Sequence, residues 1–427
     1  MNAATMRGSG EFKDYRRNAI RLLSALRSPG IVVIAALAIR VCLVSHYVGF
    51  ASGGGSPCGH NEPSHIAAHL ARGEGFSSPY IGVPLAPTAQ QPPLYPVLLA
   101  GVFRLFGVCS LTALWIITEI NALVGAGISL LICAVGERYI SRTVGLIAAW
   151  IWALSPAIVA TDLVGSIYPL SASAVLIWLL ILPKMLESAN GWMVLGVALG
   201  LMTLLNPMLL IVLPASAGWL LTNRKHSAAM VLVSMLLVAT WIVRNYLALG
   251  HFYPVRDNFG LELFIGNHSG MREHLPQNCA WNLCDGTADY GTADFPDHSQ
   301  LYARAGEAKY MQARLREAMA YIRAEPRAFL VRSVKRALSF WLLPYPWCYL
   351  LTFLLMCVGI SRISGSAKMF FLTMLALYPI SFYVTHVAWV ASYRHPIEPL
   401  MLLSAGAALS NWGVAILSST SRMERSS

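Results

Sequence analysis

The chain has 427 residues, 56% of them hydrophobic and only 12% charged, and a mean hydropathy of +0.57. A soluble fold keeps about a quarter of its residues charged, so a water-soluble enzyme is excluded. The net charge of +11 falls in short basic clusters between apolar runs, not in a stripe beside aromatics, which excludes a nucleic-acid surface and reads as membrane topology.

The N-terminal segment 1–29 is basic, with Lys13, Arg16, Arg17, Arg21 and Arg27, and leads into an apolar run from Gly30 to Tyr47 with no small-residue cleavage site. This predicts an uncleaved signal anchor whose N-terminus is cytoplasmic. Further spans of about 20 apolar residues are expected at 95–135, 143–161, 167–183, 191–221, 228–247, 344–361, 369–388 and 396–417. Two are ambiguous. The 95–135 stretch is interrupted at Phe106-Gly107 and holds one crossing plus a partial helix, or more than one; 191–221 has Asn206-Pro207 at its middle and is one kinked helix or two short ones.

Basic clusters at Arg138 and Arg142, Lys184, Arg224-Lys225, Arg362 and Lys368, and Arg422 and Arg425 all belong on the cytoplasmic side. Ten spans satisfy this if 191–221 counts as two and 95–135 as one. The expected organisation is a bundle over 30–249 with a first external loop at 50–94, an extracytoplasmic cap at 250–343, C-terminal spans at 344–417 and a cytoplasmic tail at 418–427. The cap is turn-rich in its first half, and Ser299 to Trp341 reads as helix. Cys42, Cys109, Cys133, Cys348 and Cys357 lie in or beside apolar spans and read as small core residues, whereas Cys279 and Cys284 sit five apart in the cap. On an oxidising side those two form a disulfide; the alternative is free or metal-bound thiols.

The first external loop carries the chemistry-bearing residues. Asn61 caps a short helix expected from Glu62 to about Arg72, ended by Gly73 and Gly75, whose apolar edge of Ile66 and Leu70 suits a helix at the membrane surface. Glu62 sits in the first turn, where the helix dipole favours its charge; it is a proton acceptor or only a capping residue. His65 and His69 follow at a spacing that puts them on one face with Glu62, which is either a divalent-metal site or a plain polar face.

An acidic residue, then Ile66-Ala67, Leu70, Gly73, Gly75-Phe76, then Pro87-Thr88-Ala89 with Pro92-Pro93-Leu94-Tyr95-Pro96, then Leu105-Phe106-Gly107, resembles glycosyltransferase family 39. These are relatives of dolichyl-phosphate-mannose protein mannosyltransferases and of the lipid A aminoarabinose transferase. The likeness continues in Arg244-Asn245-Tyr246, in 254–263 with Gly266-Asn267, in Gly306 to Met311 and in Tyr393 to Pro399, so it covers about 30–410.

The resemblance implies an all-α polytopic membrane protein with a GT-C-type helix bundle and a small extracytoplasmic domain. It also implies inverting transfer of a sugar from a polyprenyl-phosphate donor to a lipid, glycan or protein acceptor on the periplasmic face of a bacterial inner membrane. Members use an acidic residue of the first external loop as base; many carry Asp-Glu there, whereas this chain has Asn61-Glu62, leaving Glu62 to serve. The lipid phosphate needs cations, for which Arg256 and Arg394 are candidates, with interfacial anchoring as their alternative role. Asp162, in the external turn 155–166, is a second acidic candidate or a solvated turn residue. The rival readings are a secondary transporter or flippase, against which no repeated halves are visible, and a non-catalytic subunit of the same fold.

Overall fold

With no water in the bilayer to take up backbone N–H and C=O groups, apolar runs must satisfy them internally, and here they do so as helices. The structure, a computed structural model, describes residues 27–52, 58, 62–80, 82–222, 224–268, 296–385 and 390–423. Among these, extended pairing is limited to an isolated bridge between Ser77 and Pro87.

The first helix, Pro29–Ser52, packs along Leu111–Tyr139, which in turn packs on Arg142–Leu154 and Tyr168–Leu186. Side chains at helix starts terminate these elements locally: Ser110 Oγ accepts from the Ala113 amide at 3.0 Å and Ser141 Oγ from the Val144 amide at 3.3 Å. Gly107, at φ 100°, ends the Leu94–Phe106 helix, so 95–135 is one 29-residue crossing preceded by a 13-residue helix.

Among the described residues five helices are long and apolar enough to cross a membrane, or seven if each sharply bent pair is one span. Proline sets the bends. At Ser155-Pro156 the 143–161 span breaks into Arg142–Leu154 and Pro156–Leu163 with a bend of 65°, and an 88° bend separates Pro326–Leu342 from Pro346–Arg362.

The 191–221 stretch is one regular helix, Gly191–Leu205, followed by short turns at Pro207–Ile211, Val212–Ala215 and Ala217–Leu220. Gly196 lies against Met230 and Val233, and Gly200 against Leu237, so Gly191–Leu205 runs parallel to Arg224–Leu249. The broken segment must therefore carry the chain back to the starting end. Tyr139 stacks edge-on against Trp219 and Trp219 against Phe370, which gathers the helix ends bearing Arg138, Arg142, Arg224 and Lys368 at one end of the bundle.

At the other end, the stretch from Ser299 to Trp341 is helical as expected and forms parts of three helices, Pro296–Ala305, Glu307–Ala324 and Pro326–Leu342, divided at Gly306 and before Pro326. The cap core joins Leu261, Phe264, Tyr302, Tyr310 and Met311, with Gly260 essential to the contact because a Cβ there would meet the Met311 carbonyl at 2.3 Å.

Candidate active site

The expected short helix forms as Glu62–Ala71. Its apolar face does not lie on a membrane surface: Ala67 and Ala68 are buried with Tyr95, Leu99 and Phe103, so the helix docks on Leu94–Phe106. A disulfide between Cys58 and Cys109, Cα atoms 5.1 Å apart, ties the approach to this helix to the turn after Phe106. This corrects the reading of Cys109 as a small core residue; its partner is distant in sequence and no local spacing announces it. Cys279 and Cys284 lie outside the described residues.

The motif-bearing loop 86–90 is clamped from two sides. Glu307, at the start of its helix, is almost fully buried and accepts hydrogen bonds from the Thr88 and Tyr302 hydroxyls and, at 2.5 Å, from the Ala89 amide. Arg244 donates to the Thr88 carbonyl at 2.6 Å and the Phe76 carbonyl at 2.7 Å, while its guanidinium lies over the Phe76 and Trp241 rings. Asn245 reaches the Tyr253 and Val255 carbonyls, and the Asp257 amide bonds the Ala89 carbonyl at 3.1 Å. Four of the sequence motifs thus meet at one loop.

Burial pushes the Tyr393 hydroxyl well above its ordinary pKa, helped by the neighbouring Tyr168 and by the carboxylates of Glu262 and Glu62, while Arg256 acts on it in the opposite sense. Tyr80 is likewise driven up by burial and then by Glu62. Tyr168 meets Tyr393 edge-on at 6.0 Å. Arg256 is about 29% exposed and lies 3.4 Å from Glu262, which also accepts from Asn258 at 2.6 Å. The buried Arg256 Nε has no hydrogen-bond partner among the described residues. Glu262 was visible in the sequence only as part of a motif.

Asp162 is not in a solvated turn but on the helix Pro156–Leu163, and it is fully buried. Arg40 donates to its Oδ2 from Nε at 2.8 Å and Nη2 at 2.6 Å, and His395 Nε2 lies 2.8 Å from its Oδ1. Arg40 also reaches the carbonyls of Trp152 and Ala153 at 3.4 Å, next to the break, where Pro156 has no N–H to bond the Trp152 carbonyl. Gly125 is required alongside, since a Cβ there would stand 2.4 Å from Asp162 Oδ2.

The network runs on through His395 Nδ1, 3.7 Å from Glu398, which accepts from the Tyr349 hydroxyl at 2.8 Å. Arg394 lies 3.5 Å from Glu398, 3.8 Å over the Tyr349 ring and bonded to the Phe340 carbonyl. Arg394 is therefore fully buried rather than at the external surface. Asp162 and Arg394 belong to this interior cluster, whereas Arg256 pairs with Glu262.

The helix Glu62–Ala71 does not present a metal set. His69 Nδ1 lies 2.5 Å from Glu74, and among the described residues no three His, Cys, Asp or Glu side chains converge on a metal-sized site.

A family profile described as dolichyl-phosphate-mannose-protein mannosyltransferase matches residues 90–247. Comparison with curated proteins by sequence finds no match. Among solved structures, the apo Archaeoglobus fulgidus oligosaccharyltransferase is similar with a TM-score of 0.52 at 14% identity, over 90% of this chain and 50% of that one. AglB of the same organism, in complex with an inhibitory peptide and a dolichol-phosphate, gives 0.48 at 14% identity over 87% and 50%. ArnT from Cupriavidus metallidurans bound to undecaprenyl phosphate gives 0.44 at 12% identity over 89% and 62%. The chain thus spans about half the length of the archaeal proteins. At 14% identity the likeness is one of fold, the GT-C helix bundle that the motifs implied.

Proposed function

We infer that this chain, similar over residues 90–247 to the dolichyl-phosphate-mannose-protein mannosyltransferase family, is a membrane glycosyltransferase that moves a sugar from a polyprenyl-phosphate donor to a lipid, glycan or protein acceptor. The observation that supports this is the 86–90 loop held by the motif residues Glu307, Arg244 and Asp257, next to which Arg256 keeps a buried Nε without a partner among the described residues.

Glu62 takes the proton from an acceptor hydroxyl or amine as that atom attacks the anomeric carbon. The carbon–oxygen bond to phosphate breaks, the electron pair leaves with the polyprenyl phosphate, and attack opposite the leaving group inverts the sugar carbon. Arg256, its Nε buried without a partner, neutralises the charge that develops on the phosphate. Arg394 and Asp162, locked in the interior cluster, act by holding the Tyr393 turn against the bundle. The oxidised Cys58–Cys109 pair supports an extracytoplasmic, periplasmic location for this end.

The test is Glu62→Gln in purified protein supplied with polyprenyl-phosphate sugar. Loss of a general base lowers transfer by about two to four orders of magnitude, while donor binding stays within a few-fold of wild type. A folded variant that still transfers within a few-fold of wild type overturns the assignment.

A further inference from the structure

Away from the site, the return of the chain as short turns leaves a gap that a full helix would have filled. Asn206 ends the helix Gly191–Leu205, and Pro207 and Pro214 have no N–H to offer a regular continuation. Between this broken segment and the helix Arg224–Leu249 lies an open groove of about 630 Å³, lined almost entirely by carbon, with Leu213, Pro214, Val231, Leu232 and Met235 among its walls. Leu221, Leu232 and Met235 on its rim are 65%, 58% and 63% exposed.

The mouth of the groove is cationic. Arg224 lines it, Lys225 and His226 follow in the same turn, and that turn holds no acidic residue. The Ser227 hydroxyl is spent on the Leu220 carbonyl at 2.7 Å, so Arg224 is the polar group left facing an occupant. An apolar slot with a positive mouth at one end of a membrane bundle is complementary to a molecule with an acyl chain and an anionic head.

We propose that this groove binds an anionic glycerophospholipid, one acyl chain lying along Leu221, Leu232 and Met235 and the phosphate on Arg224. Neutral phospholipid fits the slot equally but gains nothing from the cationic mouth, so charge sets the selectivity.

The full chain, purified in detergent, is presented with equal amounts of phosphatidylglycerol and phosphatidylcholine, and retained lipid is read by native mass spectrometry. Wild type is expected to hold phosphatidylglycerol by about fivefold over phosphatidylcholine, the preference that about one surface cation supplies. Arg224→Gln brings the ratio towards unity. Ala228→Trp, which fills the groove, loses retention of both lipids. Phosphatidylglycerol also raises the melting midpoint of wild type more than that of Arg224→Gln, which separates lost binding from lost folding. Equal retention of the two lipids by wild type, an unchanged ratio in Arg224→Gln, or displacement of phosphatidylglycerol by equimolar undecaprenyl phosphate overturns the proposal.

Discussion

Asp257 is a carboxyl with nowhere to put its charge. It is 7% exposed, and neither side-chain oxygen meets a hydrogen-bond donor among the described residues. Burial and then the facing Glu307 carboxyl push its pKa from 3.8 to about 9, against the opposing pull of Arg256. The folded protein therefore holds this proton more tightly than the unfolded chain does. The stability it contributes is fully present below 3.8 and is lost progressively as pH rises to about 9. Asp257→Asn removes the charge without changing the shape. It is expected to raise the melting midpoint by a few degrees at about pH 8 and to flatten its fall between about pH 5 and pH 9. Parallel profiles for the two proteins refute this account. The Asp162 cluster behaves differently because it is paired throughout: Asp162→Ala leaves Arg40 buried without its partner, a loss of about 3–5 kcal/mol that a melting midpoint reports.

Among elements, the short helix Glu62–Ala71 shows how a local signal is overtaken by packing. Its start and its glycine stop follow from residues within one turn, and the sequence places them correctly to within one residue. Its environment follows from Leu94–Phe106, which covers the face that looked suited to a bilayer surface. The Cys58–Cys109 bond secures that docking across a 51-residue separation. Peptide mapping of unreduced protein should recover the two cysteines in one linked species, and Cys58→Ser should cost about 2–5 kcal/mol of stability. Recovery of both as alkylated free thiols without reductant would falsify the bond.

For the whole molecule, the basic helix ends gathered around Tyr139, Trp219 and Phe370 and the Glu62 site at the other end give the bundle its polarity. Positive residues stay with the cytoplasm, so the site end is expected outside. Alkaline phosphatase fused after Glu325, between the cap helices Glu307–Ala324 and Pro326–Leu342, should be active, and a fusion after Arg142 inactive. The reverse pattern overturns the topology and, with it, the periplasmic acceptor.

What the sequence by itself determined is what acts over a turn or two: which runs are helical, where Glu62 begins a helix, and which segments are basic, while Gly107 and Asn206 stood out as interruptions without fixing how many crossings result. The order of the motifs also marked the residues that meet at the site, without showing how they meet. Only the tertiary structure decided that Glu307 holds Thr88 across 219 residues, that Arg40 holds Asp162 across 122, and that Arg394 is interior rather than at the surface. The reason is physical: hydropathy, capping and proline act through the local backbone. The partner of a buried charge depends on which helix faces pack together, and small residues such as Gly125, Gly196 and Gly200 set that closeness only once distant helices are in contact.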